Sequence, residues 1–160
     1  MDADFLRDFR RTLDEGRVRL FGLSDTEASR PRSPGKWSPK EIIGHLIDSA
    51  ANNHARFVRA QATDHLLFDG YDQESWVRVQ QYHDRRWVDL VQLWYAYNLH
   101  LAHVMERAAS DAINRPRERH SLDRIAFHPV DGTTPATLAY VMRDYVAHLK
   151  HHLKQIGAGS

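Results

Sequence analysis

Two histidines four residues apart, His148 and His152, lie near the end of the chain in the stretch DYVAHLKHHLKQI. On an α-helix that spacing puts both imidazoles on one face, about one turn apart, where they can converge on a single ion. Neutral imidazole suits zinc, nickel, iron or copper. The pair alone reads equally well as half-buried rings satisfied by water and neighbours, because the chain holds 11 histidines and chance pairs are frequent. A metal centre needs a third donor. His45 is beside Ile42, near an apolar stripe, and Ser49, Asn52 and Arg56 follow on its side. A polar strip adjoining a core face is what a pocket wall looks like, and a solvated helix flank reads the same way. The other histidines are placed less favourably. His100 and His103 project off the apolar seam of their helix, and His54 is about half a turn from His45. His65, His83, His120 and His128 fall near helix ends or in loops, and His151 faces further outward than its neighbours.

Composition narrows the chemistry. Cysteine is absent, which removes disulfides, thiolate nucleophiles and zinc–thiolate sites together. Any metal must be held by His, Asp or Glu, and any thiol must come from outside. No His-Glu-x-x-His and no Glu-x-x-His occurs, so neither a zincin site nor the ferritin-like di-iron pattern is present. The net charge is +1, with 42% hydrophobic and 27% charged residues. No strong field recruits nucleic acid or an anionic membrane, and the expected partner is a small molecule. No run of 18 apolar residues could span a bilayer, and MDADFLRDFRR lacks an apolar signal core, so a cytoplasmic location is expected.

The elements that must position these side chains are helical. The chain length of 160 residues suits one domain over 1–160, and four long amphipathic patterns stand out without an alternating strand. The first spans residues 4–20, with Phe5, Phe9, Leu13 and Leu20 at helical spacing. The second opens at WSPKE: Ser38 caps, Pro39 takes the first helical position, Glu41 completes a capping box and Trp37 staples against Ile42. It reaches about Ala62, with Ile43, Leu46, Ala50 and Phe57 as one stripe. A short helix covers residues 73–80. The third long helix spans 85–109, with Trp87, Leu90, Trp94, Tyr97, Leu101, Val104 and Met105 on its apolar face. The fourth opens with Thr134 as cap and Pro135 first. It carries Leu138, Val141, Met142, Tyr145, Leu149, Leu153 and Ile156 as a seam, closed by Gly157. An all-α four-helix bundle follows, and the long connections over 24–35 and 110–133 argue against a simple up-down meander. Tyr145 and Trp94, both on seams, read as core.

The blocks KWSPKEIIGHLIDSAANNHARF, YDQESW and DYVAHLKHHLKQI resemble the DinB-like superfamily, the damage-inducible, metal-binding four-helix bundles that include bacterial thiol transferases. The most specific elements are W-S-x-x-E-x-x-x-H-L-x-D (Trp37, Ser38, Glu41, His45, Leu46, Asp48) and H-x-x-x-H-x-x-Q (His148, His152, Gln155). Lys154, before Gln155, departs from the small residue common in the family. The resemblance implies the ligand set His45, His148 and His152 for one divalent ion, zinc first and nickel, iron or manganese as alternatives, and a homodimer in many relatives. Three imidazoles leave a coordination position open, as in a catalytic rather than a structural ion. Water there ionises near neutrality, and an external thiol is held as thiolate. Relatives pass a low-molecular-weight thiol to an electrophile or isomerise with its help, and others are classed as metal-dependent hydrolases.

Spacing also nominates outer partners. Asp48 follows His45 by three residues and Asp144 precedes His148 by four, so either carboxylate could accept a ligand's free ring N–H. Each reads equally as an exposed acid paired with Arg or Lys. Arg56 and Asn52 could meet an anionic substrate, or be solvated. The expected function is metal-dependent activation of a low-molecular-weight thiol (S-transferase) or of water (hydrolase). The alternatives are a non-catalytic metal-binding stress-response or small-molecule-binding module, and a structural bundle whose histidines bind nothing.

Overall fold

The second long helix starts as the WSPKE signal predicts. In the computed structural model, which describes residues 1–157, the Ser38 side chain accepts from the Glu41 N–H while Glu41 Oε2 accepts from the Ser38 N–H at 2.7 Å. These reciprocal bonds satisfy two otherwise orphaned donors. The helix it opens, α3 (Pro39–Ala60), follows α1 (Ala3–Phe21) and the single turn α2 (Asp25–Ala28). Next come α4 (Gln73–Gln80), a 3₁₀ turn (Tyr82–Asp84), α5 (Trp87–Arg107), the short α6 (Ser110–Asn114) and α7 (Leu122–Ile125), and α8 (Leu138–Gly157).

The long helices form a four-helix bundle. α1 packs on α5 and α8, and α3 packs on the same two helices, so α1 lies diagonal to α3 and α5 diagonal to α8. The chain therefore crosses the bundle diagonally twice, through residues 22–38 and 108–137, and is not an up-down meander. The seams meet in the centre. Phe9, Leu13, Ile43, Leu46, Phe57, Trp94, Leu101, Met142 and Leu149 are wholly inaccessible, and each such side chain contributes about 1.5–3 kcal/mol by leaving water. Among the described residues no strand forms, only two isolated bridges, and no helix is long and apolar enough to cross a membrane.

The last long helix differs from its sequence signal. Thr134 and Pro135 do not start it. Ala136 instead exchanges both backbone hydrogen bonds with Arg117, at 2.8 and 3.0 Å, and α8 begins at Leu138, with Thr137 Oγ1 accepting from the Tyr140 N–H at 3.1 Å. The cause is tertiary. The buried Arg117 guanidinium donates to the carbonyls of Ala60, Thr63, Ala112 and Arg115. It thereby fixes an extended segment against which residue 136 pairs. α5 likewise opens at Trp87 rather than 85, because its first N–H is capped from afar: Asp25 Oδ1 accepts from the Trp87 N–H at 2.8 Å, and the other carboxylate oxygen takes buried Lys40 Nζ at 2.8 Å.

The connection that follows α3 is stitched to the 108–137 crossing. Leu66 accepts from the Ser121 N–H and donates to Arg119 O, and Ser121 Oγ accepts from the Phe68 N–H at 2.9 Å. Gln81 takes a left-handed conformation (φ 51°) that ends α4 and swings Tyr82 onto α3. Its ring fills the space over Gly44, where a Cβ would lie 2.1 Å from it.

Candidate metal centre

α3 delivers His45 just past its first turn, and α8 delivers His148 and His152 from one face. Packing of α3 on α8 brings one ring nitrogen of each to within 4.8 Å of the others. His45 Nε2 and His148 Nε2 are 3.2 Å apart. Two imidazole ligands of one tetrahedral zinc ion, each at about 2.0–2.1 Å, are about 3.3 Å apart, so this spacing accommodates a shared ion as well as an N–H···N hydrogen bond. Among the described residues this is the one such group of three potential ligands.

The electrostatics favour the ligand form. His45 is 1% exposed, and burial, then repulsion from His152, lowers its pKa to about 4. Burial and the neighbouring imidazoles lower His148 to about 3. Burial lowers His152 as well, against an opposing hydrogen bond from Gln155. All three rings are therefore neutral at pH 7, with lone pairs available. His152 Nδ1 lies 2.8 Å from Gln155 Oε1, a contact in which the ring N–H donates, leaving Nε2 for an ion. His45 Nδ1 is buried without a partner. Trp37 flanks the His45 ring at 5.2 Å and Phe127 flanks His148 at 5.4 Å, so aromatic walls close both sides of the triad. The donor set fits a divalent ion of the zinc, nickel or iron type.

The expected outer partners lie elsewhere. Asp48 turns away from the triad: its Oδ1 accepts from Tyr82 OH and from Gln80 Nε2, both at 2.7 Å, and its buried Oδ2 has no partner. Burial raises its pKa. Asp144 accepts from the Phe127 N–H at 2.7 Å, the His128 N–H at 2.9 Å and His128 Nδ1 at 2.9 Å, and so orders the loop that lays Phe127 on His148. Neither carboxylate hydrogen-bonds an imidazole of the triad. Asn52 donates to Asp48 O within its own helix, and it is Asn53, not Asn52, that lines the adjoining cavity. Arg56 does line it. Gln155 is the outer partner that the structure shows, and its position three residues after His152 was the available signal. Nothing in the spacing pointed to Phe127 or Tyr71.

The triad lies between two cavities that share no lining residue. One, of about 400 Å³, includes His45, His148, Ser49, Asn53, Arg56 and Tyr71 in its wall. The other, of about 540 Å³, is bounded by His152, Gln155, Trp37, Arg32, Lys36 and Glu74. Both volumes suit small molecules.

Comparison with known proteins agrees with this architecture. The sequence model of the DinB superfamily matches residues 8–156. The Bacillus subtilis protein named "Putative metal-dependent hydrolase YfiT" is 24% identical, over 84% of this chain and 70% of its own. A Bacillus cereus protein named "Putative metal-dependent hydrolase" is 23% identical with the same coverage. The solved structure of YfiT, described as "a probable metal-dependent hydrolase with an unusual four-helix bundle topology", superposes with a TM-score of 0.74 at 18% identity. The superposition covers 99% of this chain and 87% of YfiT, and at that identity it speaks to the fold.

Proposed function

The chain belongs to the DinB superfamily, and from that premise we propose that it is a metal-dependent enzyme that activates a small nucleophile, a low-molecular-weight thiol or water, against a small-molecule electrophile. The observation that carries the reading is the triad itself: three neutral imidazoles with converging nitrogens, two of them, His45 and His148, in the wall of a cavity of substrate size. A divalent ion held by these three imidazoles, zinc first, would supply Lewis acidity toward a water or thiol. The protein's own groups orient and shield. Gln155 holds His152 in the tautomer that presents Nε2, and Trp37 and Phe127 pack against the rings. Asp144 has both oxygens engaged by the Phe127 and His128 N–H groups, and Asp48 Oδ1 is engaged by Tyr82 and Gln80, so neither hydrogen-bonds a triad imidazole.

The second cavity, bounded by His152, favours transfer between two molecules over simple hydrolysis, because each reactant can approach the triad from its own side. Metal content of protein prepared without nickel resin tests the centre. Wild-type protein should hold about one ion per chain, and the His148→Ala/His152→Ala double variant none; stoichiometric metal in that variant would refute the assignment. A panel of thiols with generic electrophiles, set beside ester and amide hydrolysis, then separates the two nucleophiles. Metal and tight small-molecule binding without turnover in either panel would make the protein a binding module instead.

A further inference from the structure

The cavity that touches His45 has a second chemical feature, at a distance from the triad. Arg56 lies on the same face of α3, eleven residues after His45, so their Cα atoms are separated by about 16 Å along the helix. An arginine on a helix leans toward the N-terminus, and Arg56 lines the same cavity as His45 and His148. Resting on the reading of the triad as a metal centre, we propose that Arg56 and Tyr71 form an anion subsite. This subsite takes the carboxylate of a substrate whose reacting end lies at His45, His148 and His152.

Four observations support it. First, Arg56 is half-buried, yet among the described residues no carboxylate comes within ion-pair distance of it. Its hydrogen bond runs from Nη2 to the neutral Asp69 carbonyl at 2.7 Å, which leaves most of its five N–H donors for a ligand. Burial lowers its pKa, with Tyr71 and the Asp69 charge opposing; a half-buried cation whose nearest counter-charge stays beyond ion-pair distance is costly unless a ligand completes it. Second, the guanidinium is held in place. It lies over the Phe68 ring, 5.7 Å from the centroid, and Phe68 is itself tethered by its N–H to Ser121 Oγ. Third, Tyr71 lines the same cavity, and burial pushes its pKa up to about 12, so its hydroxyl is a donor at neutral pH. Its ring is braced by Trp76 at 4.8 Å. Fourth, the one carboxylate in the cavity wall, Asp144, has both oxygens occupied by the Phe127 and His128 N–H groups. It therefore does not compete for Arg56.

The distance defines a ligand. The N-terminal lean of a helical side chain shortens that separation, which puts the anion and the reacting atom on the order of 10 Å apart, the span of an extended eight-carbon chain. Isothermal titration of the zinc-loaded protein with 8-mercaptooctanoate and with 8-mercapto-1-octanol tests this, because the two probes share thiol and chain length and differ only at the far end, an anionic carboxylate against a neutral hydroxyl. The acid should bind about 10-fold or more tightly than the alcohol, as a charge-assisted bidentate contact implies. The advantage should shrink with 3-mercaptopropionate set against 3-mercapto-1-propanol, which are too short to reach. Arg56→Gln should abolish the advantage without changing zinc content, and Arg56→Lys should keep part of it. Equal affinity of acid and alcohol for the wild-type protein overturns the subsite, as does an advantage that survives Arg56→Gln. Failure of the protein to bind zinc counts against the metal centre alone. The carboxylate dependence is then read on metal-free protein with octanedioate against 1,8-octanediol, where equal binding again overturns the subsite.

Discussion

Two histidine clusters flank α3, and they differ in the property that makes a site. On the α8 side, the rings of His45, His148 and His152 are 4.5–5.1 Å apart between centroids. On the α5 side, the His54 ring is 4.9 Å from His100, His100 is 6.4 Å from His103, and Tyr97 OH is 3.4 Å from His54 Nδ1. Ring proximity is similar for the closest pairs. In the first cluster, however, the nitrogens converge, the rings are desolvated and aromatic walls surround them. In the second, His100 and His103 are exposed, and the three do not form a ligand group. Burial holds an imidazole neutral, and packing fixes its direction. Together these separate a metal centre from a patch of surface histidines.

The comparison is broken most directly by exchanging the losses. Removing His45, His148 or His152 as alanine should weaken zinc binding by more than about 100-fold, beyond the about 10–100-fold typical of an outer partner. The triple variant His54→Ala/His100→Ala/His103→Ala should leave zinc binding within about 2-fold of wild type. Competition titration with a chromogenic chelator reads both, and equal losses would erase the distinction. A smaller effect is expected at the outer partner. Gln155→Leu removes the acceptor of the His152 Nδ1–H and should weaken zinc by about 10-fold while the fold, followed by circular dichroism, persists.

A smaller change still tests the packing that shapes α3. Gly44→Ala drives a Cβ into the Tyr82 ring, so the ring must leave and its bond to Asp48 must break. This overpacking should cost about 1–3 kcal/mol, seen as a lower midpoint in urea. An unchanged midpoint would show that Tyr82 is free to move.

The least change is expected with pH. His45 at about 4 and His148 at about 3 stay unprotonated where ordinary imidazoles, near 6.5, gain protons. Between pH 8 and 6 zinc affinity should therefore fall by less than about 3-fold. Metal-free protein should behave oppositely on acidification. The unfolded chain takes up protons at these positions near pH 6.5 and the folded chain only near 4 and below, so stability drops as pH falls through that window. Melting curves in EDTA at pH 7.5 and 5 check the direction.

Much of this architecture was legible in the residues because its signals are local. The Ser38–Glu41 box, the seams of all four long helices and the one-turn spacing of His148 and His152 depend only on backbone periodicity. The Ser-Pro-rich and 110–133 connections already argued against a meander, and the bundle does cross diagonally twice. What was misread depends on partners distant in the chain. Thr134 and Pro135 are a plausible helix start until Arg117 draws Ala136 into a bridge. Asp48 and Asp144 are spaced correctly to support histidines until Tyr82 and Gln80 claim Asp48 Oδ1 and the 127–128 loop claims both Asp144 oxygens.

The sequence by itself determined which faces of which helices are apolar, where α3 begins, that any metal must be held without thiolate, and that two imidazoles share one side of the last helix. Tertiary structure alone decided that His45 meets them, which cavity Arg56 enters and which carboxylates are left without a role at the triad. The physical reason is range. Helical periodicity and capping act over a few residues, whereas the 3.2 Å approach of His45 and His148 joins positions 103 residues apart and exists only once α3 and α8 have buried their seams against each other.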